Sequence, residues 1–255
     1  MKLLFLPFLF FWFCGAAQAV INIDGTPCDL HGAAAVNSEV YYLNSLKNRY
    51  RFPQASNIDA GVTFQTLMES SDPNQFSTDK AVRLQGFVLN VKMGGVESCN
   101  CKTKDPAYRD THIELTPDET KTDPQYRIIV EVTPRLRAIM AKRGVDWSTE
   151  GLRRTLKGHY VAITGWLLYD AEHESGAAAN DPSNTIGAEN WRATCWEVHP
   201  ITAIEPATSG SAITNHKNKT APTLAPQGNF NYKTLWIGLA IVLLLLLVFS
   251  RRSRR

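Results

Sequence analysis

The sequence lacks the signatures that usually betray an active site. It has no glycine-rich phosphate loop, which argues against P-loop nucleotide chemistry, and no Gly-x-Ser-x-Gly elbow, which argues against an α/β-hydrolase nucleophile. It also has no His-Glu-x-x-His pair and no Cys-x-x-Cys-His, so neither a zincin helix nor covalent c-type haem is encoded. An excess of positive charge is missing as well. The formal charge is +3, but Lys2, Lys233 and the four arginines from Arg251 to Arg255 lie in terminal segments. Between residues 20 and 232 there remain 21 basic against 24 acidic residues, a net charge near −3. Nothing in that balance would draw a polyanion to the chain, so nucleic acid is not an expected partner.

What is present begins with the ends. Met1-Lys2 is followed by an apolar run from Leu3 to Phe13, then by Gly15-Ala16-Ala17-Gln18-Ala19. The run is too short to span a bilayer, and Ala17-Gln18-Ala19 fits the small-x-small pattern of a cleavage site. Residues 1–19 therefore read as a secretory signal peptide. A lipoprotein reading at Cys14 is disfavoured by the bulky Phe11-Trp12-Phe13 before it. At the other end, Leu235 to Ser250 carries no charge and four arginines follow at once. A span of about 20 residues is completed by Tyr232 to Thr234, giving a transmembrane helix over 232–250. Residues 251–255 form a basic tail that the positive-inside rule assigns to the cytoplasm. The expected product is a single-pass cell-membrane protein whose main domain is extracytoplasmic, in the periplasm. Sorting motifs that would release such a tail, Leu-Pro-x-Thr-Gly or Pro-Glu-Pro, are absent.

Cysteine usage agrees with export. Beyond Cys14 the chain keeps Cys28, Cys99, Cys101 and Cys195. An even number in an oxidising compartment points to disulfides. Three pairings are open, and a Cys99–Cys101 bond across one residue would be strained. Zinc on Cys99-x-Cys101 would need two further ligands and lacks the usual two-residue gap.

Residues 20–77 read as a helical or irregular lead. Val40, Leu43, Leu46 and Tyr50 recur at helical spacing, and no chemistry is evident there. Residues 78–206 read as a β domain. Val82, Leu84, Phe87 and Leu89 mark a first strand, Thr111 to Leu115 a second and Arg127 to Val132 a third. Pro134 opens a helix that Gly144 closes, and Ser148 caps another ended by Gly158. Tyr160 to Tyr169 is a fourth strand. Glu172 to Asn190 is a polar loop, and Trp191 to Ile204 is a fifth strand. Residues 207–231, rich in Pro, Ser, Thr and Asn, read as a flexible stalk.

This order of three strands, helix and two strands resembles the OB-fold, a five-stranded barrel with its helix between strands three and four. The fold class expected is therefore mainly β, an OB-fold-like barrel behind a short helical segment, with one C-terminal transmembrane helix. A narrower resemblance is carried by Cys99-Asn100-Cys101, Asp110-Thr111-His112-Ile113-Glu114-Leu115, Glu131-Val132-Thr133-Pro134-Arg135 and Trp191-Arg192-Ala193-Thr194, with Trp196-Glu197 and His199-Pro200. These look like a group of exported, membrane-anchored bacterial proteins of unknown function, so the likeness implies a domain and no mechanism.

Alternation supplies the one candidate site. If Ile113, Ile128, Val130, Val132, Trp196 and Val198 face the core, then His112, Glu114, Glu131, Glu197 and His199 face outward. An OB barrel sets strands two, three and five side by side, so these five residues would share one surface patch. Two imidazoles and three carboxylates suit a divalent metal such as zinc, iron or manganese, and such an ion can activate water. The plain reading is that they are ordinary outward polar residues of a one-sided sheet, or that they bond to the lead segment or the helix. Asp170, Glu172 and His173 read as a solvated loop mouth, and Trp147, Trp166, Trp191 and Trp196 as packing residues. The leading expectation is a binding or scaffolding module of the bacterial cell envelope for an unidentified ligand or protein. The alternatives are a metal-dependent hydrolase using the patch and a single-stranded nucleic acid binder. The topology makes a direct prediction. Alkaline phosphatase fused after Gly228 is expected to be active in an exporting cell, and an inactive fusion would refute export.

Overall fold

The computed structural model describes residues 20–23, 25–179 and 190–208. The expected signal peptide, transmembrane helix, basic tail and nearly all of the stalk lie outside the described residues. Among those described, no helix is long and apolar enough to cross a membrane.

The chain is mainly β, and its centre is a closed five-stranded barrel. It opens with a hairpin, β1 (Ile21–Ile23) against β2 (Thr26–Cys28), and two short helices, α1 (Glu39–Lys47) and α2 (Phe64–Met68). The barrel strands are β3 (Ala81–Met93), β4 (Thr111–Thr116), β5 (Ile128–Val132), β6 (Tyr160–Tyr169) and β7 (Trp196–Pro206). They close in the order β3-β4-β5-β7-β6. Between β5 and β6 run α3 (Pro134–Lys142) and α4 (Thr149–Leu156).

Local chemistry accounts for these elements. The Thr133 hydroxyl accepts from the Leu136 amide to start α3, and Ser148 accepts from Gly151 to start α4. Gly144 and Gly158, both at positive φ, follow the two helices as the sequence predicts. In β3 a register shift lies between Val88 and Asn90. It resets the alternation, so Leu84, Val88 and Val91 are buried while Phe87 and Leu89 are only partly so. The last strand starts at Trp196 rather than Trp191. Residues 191–195 instead turn back on Gly176 to Ala179, with the Ala178 and Ala179 amides donating to the carbonyls of Arg192 and Ala193.

The interior is filled by Leu84, Ile113, Leu115, Ile128, Val130, Val132, Trp196 and Val198 among others. The alternation read from sequence therefore assigns the faces of β4, β5 and β7 correctly. The other face is not a solvated surface, because the lead segment covers it, the second form of the plain reading. The helix α1 rests on the turn Ser98–Asn100 and on β7. Its buried side is polar. Asn44, Lys47 and Asn48 are buried, whereas Val40, Leu43, Leu46 and Tyr50 are only partly so. The reason is what the helix covers: loop carbonyls and carboxylates rather than an apolar sheet. Asn48 Nδ2 donates to the carbonyls of Leu30 and Cys99, and Asn44 Nδ2 donates to the His31 carbonyl and Ser98 Oγ.

Three further ties hold this cover. A disulfide joins Cys28 to Cys101, 73 residues apart. Cys99 and Cys195, also candidates for pairing, are buried thiols outside that bond. Arg135 of α3 donates to Asn48 Oδ1 and the Cys28 carbonyl. Arg49 donates to the carbonyls of Leu167 and His199, beside the register shifts that free backbone groups between β6 and β7. Gly32 sits so close to the covered loop that a Cβ there would lie 2.0 Å from the Ser98 carbonyl oxygen.

Facing on β4 can be tested by truncation. Ile113→Ala is expected to cost about 2–5 kcal/mol in urea unfolding, because it opens a cavity in the barrel. A loss below about 1 kcal/mol would place Ile113 outside the core.

Candidate metal centre

Strand register builds the site. Across the β4–β5 ladder His112 pairs with Glu131, and across the parallel β5–β7 contact Val130 pairs with Val198. The next residue on each strand, Glu131 and His199, therefore falls on the covered face. Asp110 lies two residues before His112, on the same side. Glu97 arrives from the loop after β3, beside the disulfide. The result is a compact cluster: His112 Nε2 is 3.1 Å from Glu131 Oε1 and 3.6 Å from Glu97 Oε1. His199 Nδ1 is 3.6 Å from Glu131 Oε2, and its Nε2 is 3.9 Å from Asp110 Oδ2.

Of the five residues singled out from sequence, four come together and one does not. His112, Glu131 and His199 form the centre. Glu197 stands behind it, with Oε1 3.0 Å from His199 Nδ1 and Oε2 accepting from buried Arg192 at 2.8 Å. That carboxylate accepts from Nδ1–H and orients the ring, so that Nε2 would be the nitrogen to ligate an ion, the usual role of a second carboxylate behind an imidazole. Glu114 is separate and pairs with Lys92 at 2.7 Å. The patch is also not a solvated surface. His112 retains 7% of its exposure, Glu131 3% and His199 none.

Sequence reasoning passed over Glu97, Asp110 and Lys47, and singled out Cys99 only for a disulfide or for zinc with Cys101. Asp110 was within reach of the period-two argument, since it continues the face of His112 and Glu114. Glu97 and Cys99 sit on a loop and carry no periodicity. Lys47 lies in the lead, where the legible signal is apolar spacing. Its ammonium is 2.8 Å from Asp170 and 3.3 Å from Glu97. Asp170 in turn faces His173 Nδ1 at 3.0 Å and is buried, so it belongs to an internal ion-pair network, while Glu172 stays exposed at the loop mouth.

The charges compensate one another. Burial acts to lower the pKa of both imidazoles, but the surrounding carboxylates outweigh it. His199 is raised to about 9 beside Glu131, Glu197 and Asp110, and His112 is held well above its ordinary value by Glu131 and Glu97. Burial raises Asp110 to about 7 despite His199 and His112. Glu97 and Glu131 resist burial and stay below the ordinary glutamate value, because His112 faces both. Cys99 is pushed up by burial and by Asp110 and Glu97, so it remains a thiol and contacts both carboxylates.

Hydrogen bonds leave part of this cluster unsatisfied. His199 Nε2, Glu131 Oε2 and Asp110 Oδ1 are buried without a hydrogen bond, and His112 Nε2, though 3.1 Å from Glu131 Oε1, is not aligned for a regular one. Buried polar atoms are rarely left so. Here four of them belong to a single group of histidines and carboxylates. Gly94 permits the arrangement, since a Cβ there would lie 2.7 Å from His112 Nε2. Sets of donor atoms close enough to share an ion occur in Glu97, His112 and Glu131; in Asp110, Glu131 and His199; and in Glu97, Cys99 and Asp110. Two imidazoles among carboxylates are the donor set of zinc, iron or manganese.

The ion-pair network beside the cluster yields a stability prediction. Asp170 is held well below its ordinary value: burial opposes this, and His173 and Lys47 override it. A depressed carboxylate stabilises the fold above its unfolded pKa of about 4 and loses that contribution as pH falls. Asp170→Asn is expected to cost about 3–5 kcal/mol at pH 7, because it removes the nearest partner of a buried ammonium. It should also flatten the loss of stability below pH 4, read by urea titration. Equal acid slopes in both proteins would refute the assignment.

Comparison with known proteins returns no matching family model, no matching curated protein and no matching solved structure.

Proposed function

We propose that this chain is a membrane-anchored, extracytoplasmic module of the bacterial cell envelope whose barrel binds a divalent transition metal. One observation carries the metal reading. Two buried imidazole nitrogens and two buried carboxylate oxygens meet in one cluster without regular hydrogen bonds, and a cation that displaces the imidazole protons would engage all four. His112, His199, Glu131, Asp110 and Glu97 would hold it. When bound, such an ion supplies Lewis acidity and lowers the pKa of coordinated water.

The envelope reading rests on the signal-like start, the uncharged run from Leu235 to Ser250, and the Cys28–Cys101 disulfide, which suits an oxidising compartment. The strand order and the helices between β5 and β6 support an OB-like barrel. Single-stranded nucleic acid is the weaker ligand, because the face used for it in such barrels is acidic here and lies beneath the lead segment.

A second reading, metal-dependent hydrolysis, is favoured by one feature. Solvent reaches the cluster at Glu97, whose side chain is 20% exposed, and at His112. A ligand position open to water is what separates catalytic from structural metal sites. The deciding experiment is elemental analysis of the full-length, tag-free chain purified without chelator, beside the His112→Ala/His199→Ala double variant. We expect a divalent metal in the wild type and none in the variant. Metal in neither protein would overturn the proposal. Metal-dependent cleavage of bis(p-nitrophenyl) phosphate that Glu97→Gln abolishes would establish the hydrolytic reading.

A further inference from the structure

The arrangement of donors carries more than the presence of a metal. The ligands of one ion lie within about twice the metal–ligand bond of one another, or about 4.2 Å for zinc-like bonds of about 2.1 Å. Among the described residues, each donor set confined to 4.8 Å contains at most one histidine. His112 groups with Glu97 and Glu131, whereas His199 groups with Asp110 and Glu131. A single ion placed for one imidazole is therefore out of reach of the other.

Glu131 is the residue the two sets share, and its two oxygens are divided between them. Oε1 lies 3.1 Å from His112 Nε2, while Oε2 lies beside the His199 ring, 3.6 Å from its Nδ1, in the same donor set as Asp110. Each side then has one imidazole and one terminal carboxylate, Glu97 with His112 and Asp110 with His199. The free ring nitrogens agree: Nε2 of both histidines is buried without a regular hydrogen bond, and on His199 the Glu197 carboxylate occupies Nδ1. The thiol of Cys99 spans the two terminal carboxylates, 3.5 Å from Glu97 Oε2 and 3.7 Å from Asp110 Oδ2. Its one S–H can donate to either, so it marks the two as neighbours. Two-ion sites separate their metals by roughly 3.5–4 Å, a distance that one bridging carboxylate spans.

We propose that the centre is dinuclear, with Glu131 bridging two divalent ions, one held by Glu97 and His112 and the other by Asp110 and His199. This rests on the metal-binding reading above and specifies it. The bridge also gives the hydrolytic reading its natural form, since paired ions can hold an attacking and a leaving oxygen at once. The more exposed ion, on the Glu97 side, is the one that meets solvent.

The test is the stoichiometry and magnetic coupling of manganese. The full-length, tag-free protein is stripped with chelator and reloaded with Mn²⁺ alone. Bound metal is counted by elemental analysis, and coupling is read by electron paramagnetic resonance. We expect two ions per chain and an exchange-coupled spectrum. His112→Ala and His199→Ala should each leave one ion with an uncoupled spectrum, and Glu131→Gln should abolish coupling. One ion per chain in the wild type, lost with either histidine, would overturn the dinuclear inference and leave metal binding intact. No bound ion would overturn both. The wild-type count and spectrum decide by themselves, so the outcome does not depend on any variant folding.

Discussion

Four carboxylates confined beneath one segment set the terms for the rest of this structure. Glu97, Asp110, Glu131 and Glu197 lie around two imidazoles, and all but Glu97 are almost wholly removed from water. An isolated carboxylate in such a place would cost several kcal/mol. The fold meets the demand with cations from separate elements: Lys47 from α1, Arg192 from the loop before β7, and protons on His112 and His199. Most of these partners are distant in sequence from the carboxylates they serve; the local ones are Arg192 and His199 beside Glu197 and His112 beside Asp110. The charge balance therefore depends on the barrel being closed and the lead segment being seated.

That dependence explains why the cover is fastened by polar means. A helix laid on an apolar sheet is held by burial of its apolar stripe. The helix α1 lies on carbonyls and acids, so its buried positions are Asn44, Lys47 and Asn48. Hydrogen bonds of this kind contribute about 1 kcal/mol each, less than an apolar face would give. The Cys28–Cys101 disulfide and the Arg135 bonds to Asn48 and Cys28 make up for that weakness, and they act on the loop that carries Glu97 and Cys99. Cover and site are thus joined at the same few residues.

The barrel was legible in the sequence because its signals are local. Alternation in Thr111 to Leu115 and Ile128 to Val132, the Thr133 and Ser148 caps, and Gly144 and Gly158 each act within a few residues. The candidate site was legible as far as period two extends: it found His112, Glu131, Glu197 and His199. It took in Glu114 as well, because facing alone cannot separate a residue paired with Lys92 from residues that meet across three strands. It did not yield Glu97 or Lys47. Their positions follow from a loop path and a docking geometry that no spacing encodes. The burial of the patch was illegible for the same reason. Apolar periodicity in α1 points to Val40, Leu43 and Leu46, while the face that docks is the polar one.

The manner in which the charges are balanced bears on how such a centre would fill. In many small metal domains the unfilled ligands cannot remain together, and the chain folds only when the ion arrives. Here the apolar interior of the barrel, the disulfide and the cover are independent of any ion. The imidazolium protons already offset the carboxylates that an ion would neutralise. Binding would then exchange protons for metal at a site assembled in advance. The domain would then fold without an ion and could take one up afterwards. A centre of this kind keeps its ligand geometry whichever ion is supplied, so the selection of metal falls to the donors themselves. Those donors are two imidazoles and three carboxylates, with one thiol that burial keeps protonated beside them. The thiol's proton matters for that selection, because a thiolate in its place would favour softer ions than the carboxylates do.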